Sequence, residues 1–194
     1  KMHIVIKNNY LTFNNKSIPC AIGRNGCSKE KKEGDGCTPI GKFNIIQCYY
    51  RNDKVKELLT NLDLSVITKN SGWCDDPNCS LYNQYIDFPF AYSAENLYRN
   101  DDLYDIIFVI DYNMNPVVKN KGSAIFLHVA NDDLMPTEGC IAIQKNELLM
   151  LSKFIDNLYL YNNGEIISEG KRNGEYFMFK SIGFKLDPMQ GDEI

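Results

Sequence analysis

The chain has 194 residues, enough for one domain with a full hydrophobic core. With 44% hydrophobic and 24% charged residues it has the composition of a globular protein. A net charge of −4, with no basic face to neutralise phosphates, argues against a nucleic-acid partner, and no apolar run approaches the ~20 residues of a membrane span. No signal-peptide pattern opens the sequence. Lys1-Met2 reads as an added scar or as the remnant of a trimmed leader, so a cytoplasmic home does not follow.

In chain order, His3-Ile4-Val5-Ile6 and Tyr10-Leu11-Thr12-Phe13 are apolar runs around Lys7-Asn8-Asn9, a tip that tolerates left-handed backbone and predicts a β-hairpin. Ile18 to Ile22 is a third strand. Gly23 to Gly36 is a polar loop carrying Arg24, Lys29, Lys31 and Lys32. It reads either as a solvated loop or as a cationic rim for carboxylates of an acidic peptide. Gly34-Asp35-Gly36 is a tight turn and not a phosphate loop, because no Gly-Lys-Ser/Thr follows. Pro39, lacking an N–H, fits only the start of the strand from Lys42 to Tyr50.

Val55 to Leu62 is a short helix or an irregular lobe. Trp73 stands in a loop-like stretch, Ser65 to Ile86, as a loop anchor or a cleft wall. The aromatics that follow, Tyr82 to Tyr104, are first a packing payload and second a candidate wall for a sugar or peptide ligand. Ser93 to Arg99 suggests one or two helical turns. Ile106 to Ile110 is a buried strand, and Asp111 to Pro116 a turn. Ala124 to Val129 and Ile141 to Ile143 are further strands. Asn146 is placed as the N-cap of a helix over Glu147 to Tyr159, with its stripe at Leu148, Leu151, Ile155 and Leu158. Asn162-Asn163-Gly164 ends it, a pair of strands follows around Lys171 to Gly174, and the last ten residues are polar and loose.

The chemistry centres on Cys140 and His128. Their spacing of twelve is too long for one helical face and suits two strand ends joined by the polar loop Asn131 to Pro136. An imidazole beside a thiol is how sulfur becomes nucleophilic near neutral pH, with Cys140 the nucleophile and His128 the base. Gly139 leaves room for a substrate carbonyl, and the N–H groups of Gly139 and Cys140 are the candidate oxyanion hole. A carbonyl, that of Val129 or of a facing loop, would orient the imidazole. Seven cysteines leave at least one unpaired; no Cys-x-x-Cys supports a zinc ribbon, and a local Cys74–Cys79 disulfide is an open alternative in an oxidising compartment.

Thr137-Glu138-Gly139-Cys140-Ile141, with His128 upstream, resembles the signature of the L,D-transpeptidase (YkuD-type) catalytic domain: a His, a loop, then Ser/Thr-His-Gly-Cys and an apolar residue. A second family element, Thr-Pro-x-Gly-x-Phe, reads here as Thr38 to Phe43. The similarity runs from about Ile18 to Phe154. The fuller pattern, with Glu33 to Gly36, Gly72 to Asp76, Leu103-Tyr104-Asp105 and Gly122-Ser123-Ala124, is similar to a proteobacterial branch. Two positions depart from the family: Glu138 stands where many members have His, and Ala142 where many have Arg. Both help shape the donor and acceptor clefts, so the substrate register does not carry over.

The resemblance implies a mainly β fold with a few helices, sandwich- or barrel-like. It implies one domain over 1–194, with its core at about 3–160 and a C-terminal extension at 165–194. It implies attack on peptidoglycan stem peptides between diaminopimelate and D-Ala through a thioester, without metal or organic cofactor, in the periplasm or at the cell wall. An amine, a D-amino acid or water then resolves the acyl-enzyme. Thr137, Glu138, Trp73, Tyr104 and Arg24 are the substrate-binding candidates. The alternatives are a carboxypeptidase or endopeptidase on the same peptides, a Cys-His amidase acting elsewhere, and a silent peptidoglycan-binding domain.

Overall fold

The computed structural model describes residues 3–155, 159–162, 176–179 and 184–187. The fold is mostly β with one short helix among the described residues. Its centre is β11 (Ile106–Ile110), five consecutive buried residues. Such a run has no polar face because both faces are covered. Alternation sends Ile106, Phe108 and Ile110 into one core and Ile107 and Val109 into another.

Antiparallel to β11 on one side is β6 (Gly41–Tyr50), and on the other β12 (Phe126–Val129). Next to β12 runs β13 (Ile141–Ile143), in parallel. The ten-residue β6 takes two partners along its other edge: β14 (Tyr159–Asn162) beside Gly41 to Asn44, and β7 (Leu64–Val66) beside Cys48 to Tyr50. Beyond β14 the sheet continues with β1 (His3–Lys7), β2 (Tyr10–Phe13) and β3 (Lys16–Pro19). The predicted first hairpin is present, with Asn8 and Asn9 at φ 50° and 61°, the left-handed pair a two-residue turn requires. The third strand ends at Pro19, before the predicted Ile22.

The sheet is not a closed barrel. Its far edges meet through isolated bridges: Ala21, just past β3, exchanges hydrogen bonds of 2.8 and 3.0 Å with Ala142 of β13, and Gly23 pairs with Thr137. The other core face carries a small sheet of β8 (Ser71–Cys74) between β9 (Tyr85–Asp87) and β10 (Ala94–Asn96). Here the sequence reading is corrected twice. Trp73 lies on a strand, not in a loop. Ala94 to Asn96 is extended, not helical, because it pairs with Gly72 to Cys74 and that ladder outweighs a weak local helical preference. A two-residue pair, β4 (Cys27–Ser28) with β5 (Thr38–Pro39), ties the polar loop to the start of β6. Residues 55–62 form the irregular alternative.

The helix α1 (Lys145–Ser152) is shorter than predicted and starts earlier, with Gln144 as N-cap and Asn146 inside it. Leu148, Leu151 and Ile155 are buried as the stripe required. The chain cannot stay helical to Tyr159, because β14 is inserted between β1 and β6 with a backbone ladder on each edge. Leu158 and residues 163–175 and 188–194 lie outside the described residues. So does the predicted turn at Lys171 to Gly174; the strand pair that is described, β15 (Tyr176–Phe179) with β16 (Phe184–Asp187), comes later. All seven cysteines are free thiols, including Cys74 and Cys79, which lie side by side in one small core. No helix of the described residues is long and apolar enough to cross a membrane.

Candidate active site

Strand alternation places the imidazole. Leu127 and Val129 of β12 face the larger core, so Phe126 and His128 face the second one, where Trp73, Tyr104 and Cys140 pack. The parallel ladder to β13 sets His128 beside Ala142 and Leu127 beside Ile141, which brings Cys140 to the end of β12 that holds Phe126. The Phe126 N–H donates to Cys140 Sγ at 3.3 Å, and the thiol sits 3.2 Å from the Ala124 carbonyl. His128 and Cys140 open onto one cavity of about 440 Å³.

Both groups are uncharged at rest. Burial pushes the Cys140 thiol up to about 12, opposed by the Phe126 N–H, by the Lys31 ammonium and by the Tyr104 side chain. Burial also drops His128 to about 4, against the pull of the Val129 carbonyl. Near neutral pH the imidazole is therefore a free base. Its Nδ1 lies 2.8 Å from Val129 O, a group that only accepts, so Nδ1 carries the hydrogen and Nε2 is the basic nitrogen. This is the orienting carbonyl that the sequence offered.

The nucleophile loop is stitched down from two sides. The Thr137 hydroxyl donates to Cys140 O at 2.6 Å and accepts from Gly139 N–H at 3.0 Å. Gly139 adopts φ 147°, and a Cβ there would stand 2.8 Å from Cys37 O, so only glycine fits. The Thr137 carbonyl accepts from Arg24 N–H at 2.8 Å, and its own N–H donates to Ile22 O. Thr38 in turn accepts from Gly23 N–H at 2.8 Å, and a Cβ on Gly23 would strike Gly36 O at 2.3 Å. The Thr38-Pro39 element thus braces the strand end that braces the nucleophile.

The sequence-picked residues separate. Cys140, His128, Gly139, Thr137, Glu138 and Tyr104 all line the cavity. Gly139 does not present its N–H as expected, since Thr137 holds it, which leaves the Cys140 N–H as the candidate oxyanion donor. Arg24 stands outside the lining; its Nε reaches both Glu138 carboxylate oxygens at 3.0 Å on the exposed rim. Trp73 is not brought to the cleft. It is 3% exposed, its Nε1 donates to Asn83 Oδ1 at 2.9 Å, and its ring meets Phe126 edge-on at 5.1 Å. Lys31 is no rim residue either: it is buried in the cavity wall and pairs with Asp35 at 2.8 Å.

Sequence reasoning missed the ionisable groups that share the cavity with the thiol. Glu33 accepts from Tyr82 at 2.5 Å and from Ser123 at 2.6 Å; Asp75, Glu95 and Arg99 line the same cavity. Tyr104 donates to Glu95 and packs edge-on against His128, centroids 5.1 Å apart. Burial raises the Glu95 carboxyl, aided by Asp75 and Glu33 and opposed by the Tyr104 hydrogen bond and Arg99. Glu33, Asp75, Tyr104 and Ser123 each fall within the segments that carry the wider resemblance, and that was the available signal.

The chain matches the family described as the L,D-transpeptidase catalytic domain (YkuD) over residues 2–174. No curated protein matches it.

Proposed function

The chain belongs to the YkuD family of L,D-transpeptidase catalytic domains, and on that premise we propose that it is a cysteine-dependent L,D-transpeptidase of peptidoglycan stem peptides. The reaction runs through a thioester. The observation that carries this reading is one cavity holding a buried thiol and a neutral imidazole whose tautomer is set by Val129 O.

In the proposed cycle the Cys140 sulfur attacks the stem-peptide carbonyl while His128 Nε2 takes the thiol proton. The Cys140 N–H meets the oxyanion. His128 then gives its proton to the leaving amine as the C–N bond breaks. An incoming amine, deprotonated by the same Nε2, releases the acyl group; water in its place gives hydrolysis. Glu138 and its partner Arg24 border the cleft mouth as candidate substrate contacts, and Tyr104 is one inside it; Trp73 serves the core. The Thr-Glu-Gly-Cys motif supports the proteobacterial branch. Such a substrate places the protein in the periplasm or at the cell wall, acting as a single domain over 1–194.

The deciding experiment is incubation with purified tetrapeptide and disaccharide-tetrapeptide muropeptides, followed by mass analysis. The reading expects cross-linked or D-amino-acid-exchanged products from the wild type and none from Cys140→Ser. Intact substrate with the wild type, or equal product from both proteins, contradicts it. Shortened peptides alone would assign hydrolysis.

A further inference from the structure

Residues 122–124, which lead into β12, are gripped by two neighbouring side chains from the turn between β8 and β9. Gly122 N–H donates to the Tyr82 hydroxyl at 3.0 Å, and Ala124 N–H donates to Asn83 Oδ1 at 2.9 Å. Asn83 is buried and uses its whole amide. Its Oδ1 also accepts from Trp73 Nε1 at 2.9 Å, and its Nδ2 donates to the carbonyls of Tyr112 at 3.0 Å and Asn113 at 2.8 Å. Two N–H groups at one end and two carbonyls at the other fix which end of the amide is oxygen. The backbone of Asn83 is left-handed, φ 61°, a conformation that asparagine tolerates better than most residues.

Ala124 is left-handed as well, at φ 53°, which is uncommon for alanine and persists only where the surroundings hold it. The hold comes from both sides: Asn83 Oδ1 on the Ala124 N–H, and the Ile110 N–H on the Ile125 carbonyl at 3.1 Å. Between these anchors the Ala124 carbonyl and the Phe126 N–H converge on the Cys140 sulfur, at 3.2 and 3.3 Å. A carbonyl only accepts and an amide N–H only donates. The thiol hydrogen therefore points to Ala124 O, and the sulfur accepts from Phe126.

We propose that Asn83 is a positioning residue for the nucleophile: by holding Ala124 in left-handed backbone it sets the carbonyl that fixes the Cys140 thiol in one orientation beside the Phe126 N–H. Asn83 acts through Ala124 and not on the reacting atoms. On attack the thiol proton leaves Ala124 O for His128 Nε2; the S–H bond breaks, an N–H bond forms, and the electron pair left on sulfur makes the S–C bond. The Phe126 N–H is then the backbone donor facing the sulfur. Trp73 gains a task too, since its indole N–H shares Oδ1 with Ala124 and fixes the amide's orientation.

This inference rests on Cys140 being the nucleophile of the proposed function, not on the peptide substrate. Its test reads the sulfhydryl stretching band of Cys140 in the full chain, isolated by subtracting the spectrum of the same protein carrying Cys140→Ala. The rate of Cys140 acetylation by p-nitrophenyl acetate, located by peptide mass mapping, is measured alongside. Wild type is expected to show the lowered frequency of a hydrogen-bonded thiol; an unbonded frequency overturns the proposal before any change is made at Asn83. Asn83→Ala is expected to move the band to the unbonded frequency and to slow acetylation about tenfold to a hundredfold. Asn83→Asp keeps the acceptor oxygen and gives up the amide donors. It is expected to melt at a lower temperature yet keep the band and most of the rate. A merely structural role leaves the band in place in both variants while both lose stability, and that result overturns the proposal. So does a band displaced as far in Asn83→Asp as in Asn83→Ala. Acetylation uses no wall peptide, so a failed muropeptide assay leaves this result standing, and an unmoved band with full muropeptide turnover removes the Asn83 role alone.

Discussion

The two walls of the cleft are held by different forces. The nucleophile wall is backbone: β12 and β13 fix His128 and Cys140 by ladder register, and Val129 O, Thr137 and the Ala21–Ala142 bridge finish the job. The ionisable part of the lining is side chain on side chain: Glu33 with Tyr82 and Ser123, Glu95 with Tyr104, Lys31 with Asp35. The first wall keeps its chemistry neutral by burial. The second collects charge next to it. The difference is one of means: the sheet sets the geometry of thiol and imidazole, and side-chain pairs from elsewhere place charge beside them.

The comparison breaks first at the dyad. Replacing His128 by Gln should lower turnover by about 10²–10⁴-fold, the usual worth of a positioned base, read as kcat/KM on the tetrapeptide. Next comes the loop that presents the thiol. Thr137→Val leaves Gly139 N–H and Cys140 O without their partner at a part-buried turn. We expect a loss of about 1–3 kcal/mol in denaturant unfolding, and slower turnover, with Thr137→Ser retaining most of both.

Acid should act through the nucleophile wall as well. His128 titrates near 4 in the fold against about 6.5 when unfolded, so between those values the unfolded chain binds more protons. Stability is therefore lost as pH falls from about 6.5 toward 4. Melting temperatures across that range should decline, and His128→Asn should flatten the decline. The smallest effect belongs to the rim: Arg24→Ala removes an exposed ion pair and should leave the melting temperature unchanged, any effect appearing in KM.

The same contrast explains how far the sequence could be read. The continuous run Ile106 to Ile110 and the Asn8-Asn9 tip announce their structures because burial on both faces and left-handed turns demand particular residues. The spacing of His128 and Cys140 points to one cleft, and the structure brings both, with Gly139, to one cavity; of the two carbonyls left open for the imidazole, Val129 O is the one beside it. Glu95 was not legible: it lies on a three-residue strand paired with β8, and its hydrogen-bond partner is a tyrosine nine positions later. Trp73 misled because Gly, Asp, Pro and Asn around it look like a loop, whereas cross-strand pairing with Tyr85 and Glu95 makes it a strand residue. The helix end misled because β14 is called into the sheet by strands far away in sequence.

The account stands on Cys140 as the nucleophile. Peptide mapping of the full chain after reaction with a carbapenem, an acylating mimic of the stem-peptide bond, tests this directly. The account predicts one equivalent of added mass on the peptide holding Cys140, lost in Cys140→Ala and strongly slowed in His128→Gln. Mass on any of the other six cysteines with Cys140 unmodified would contradict it.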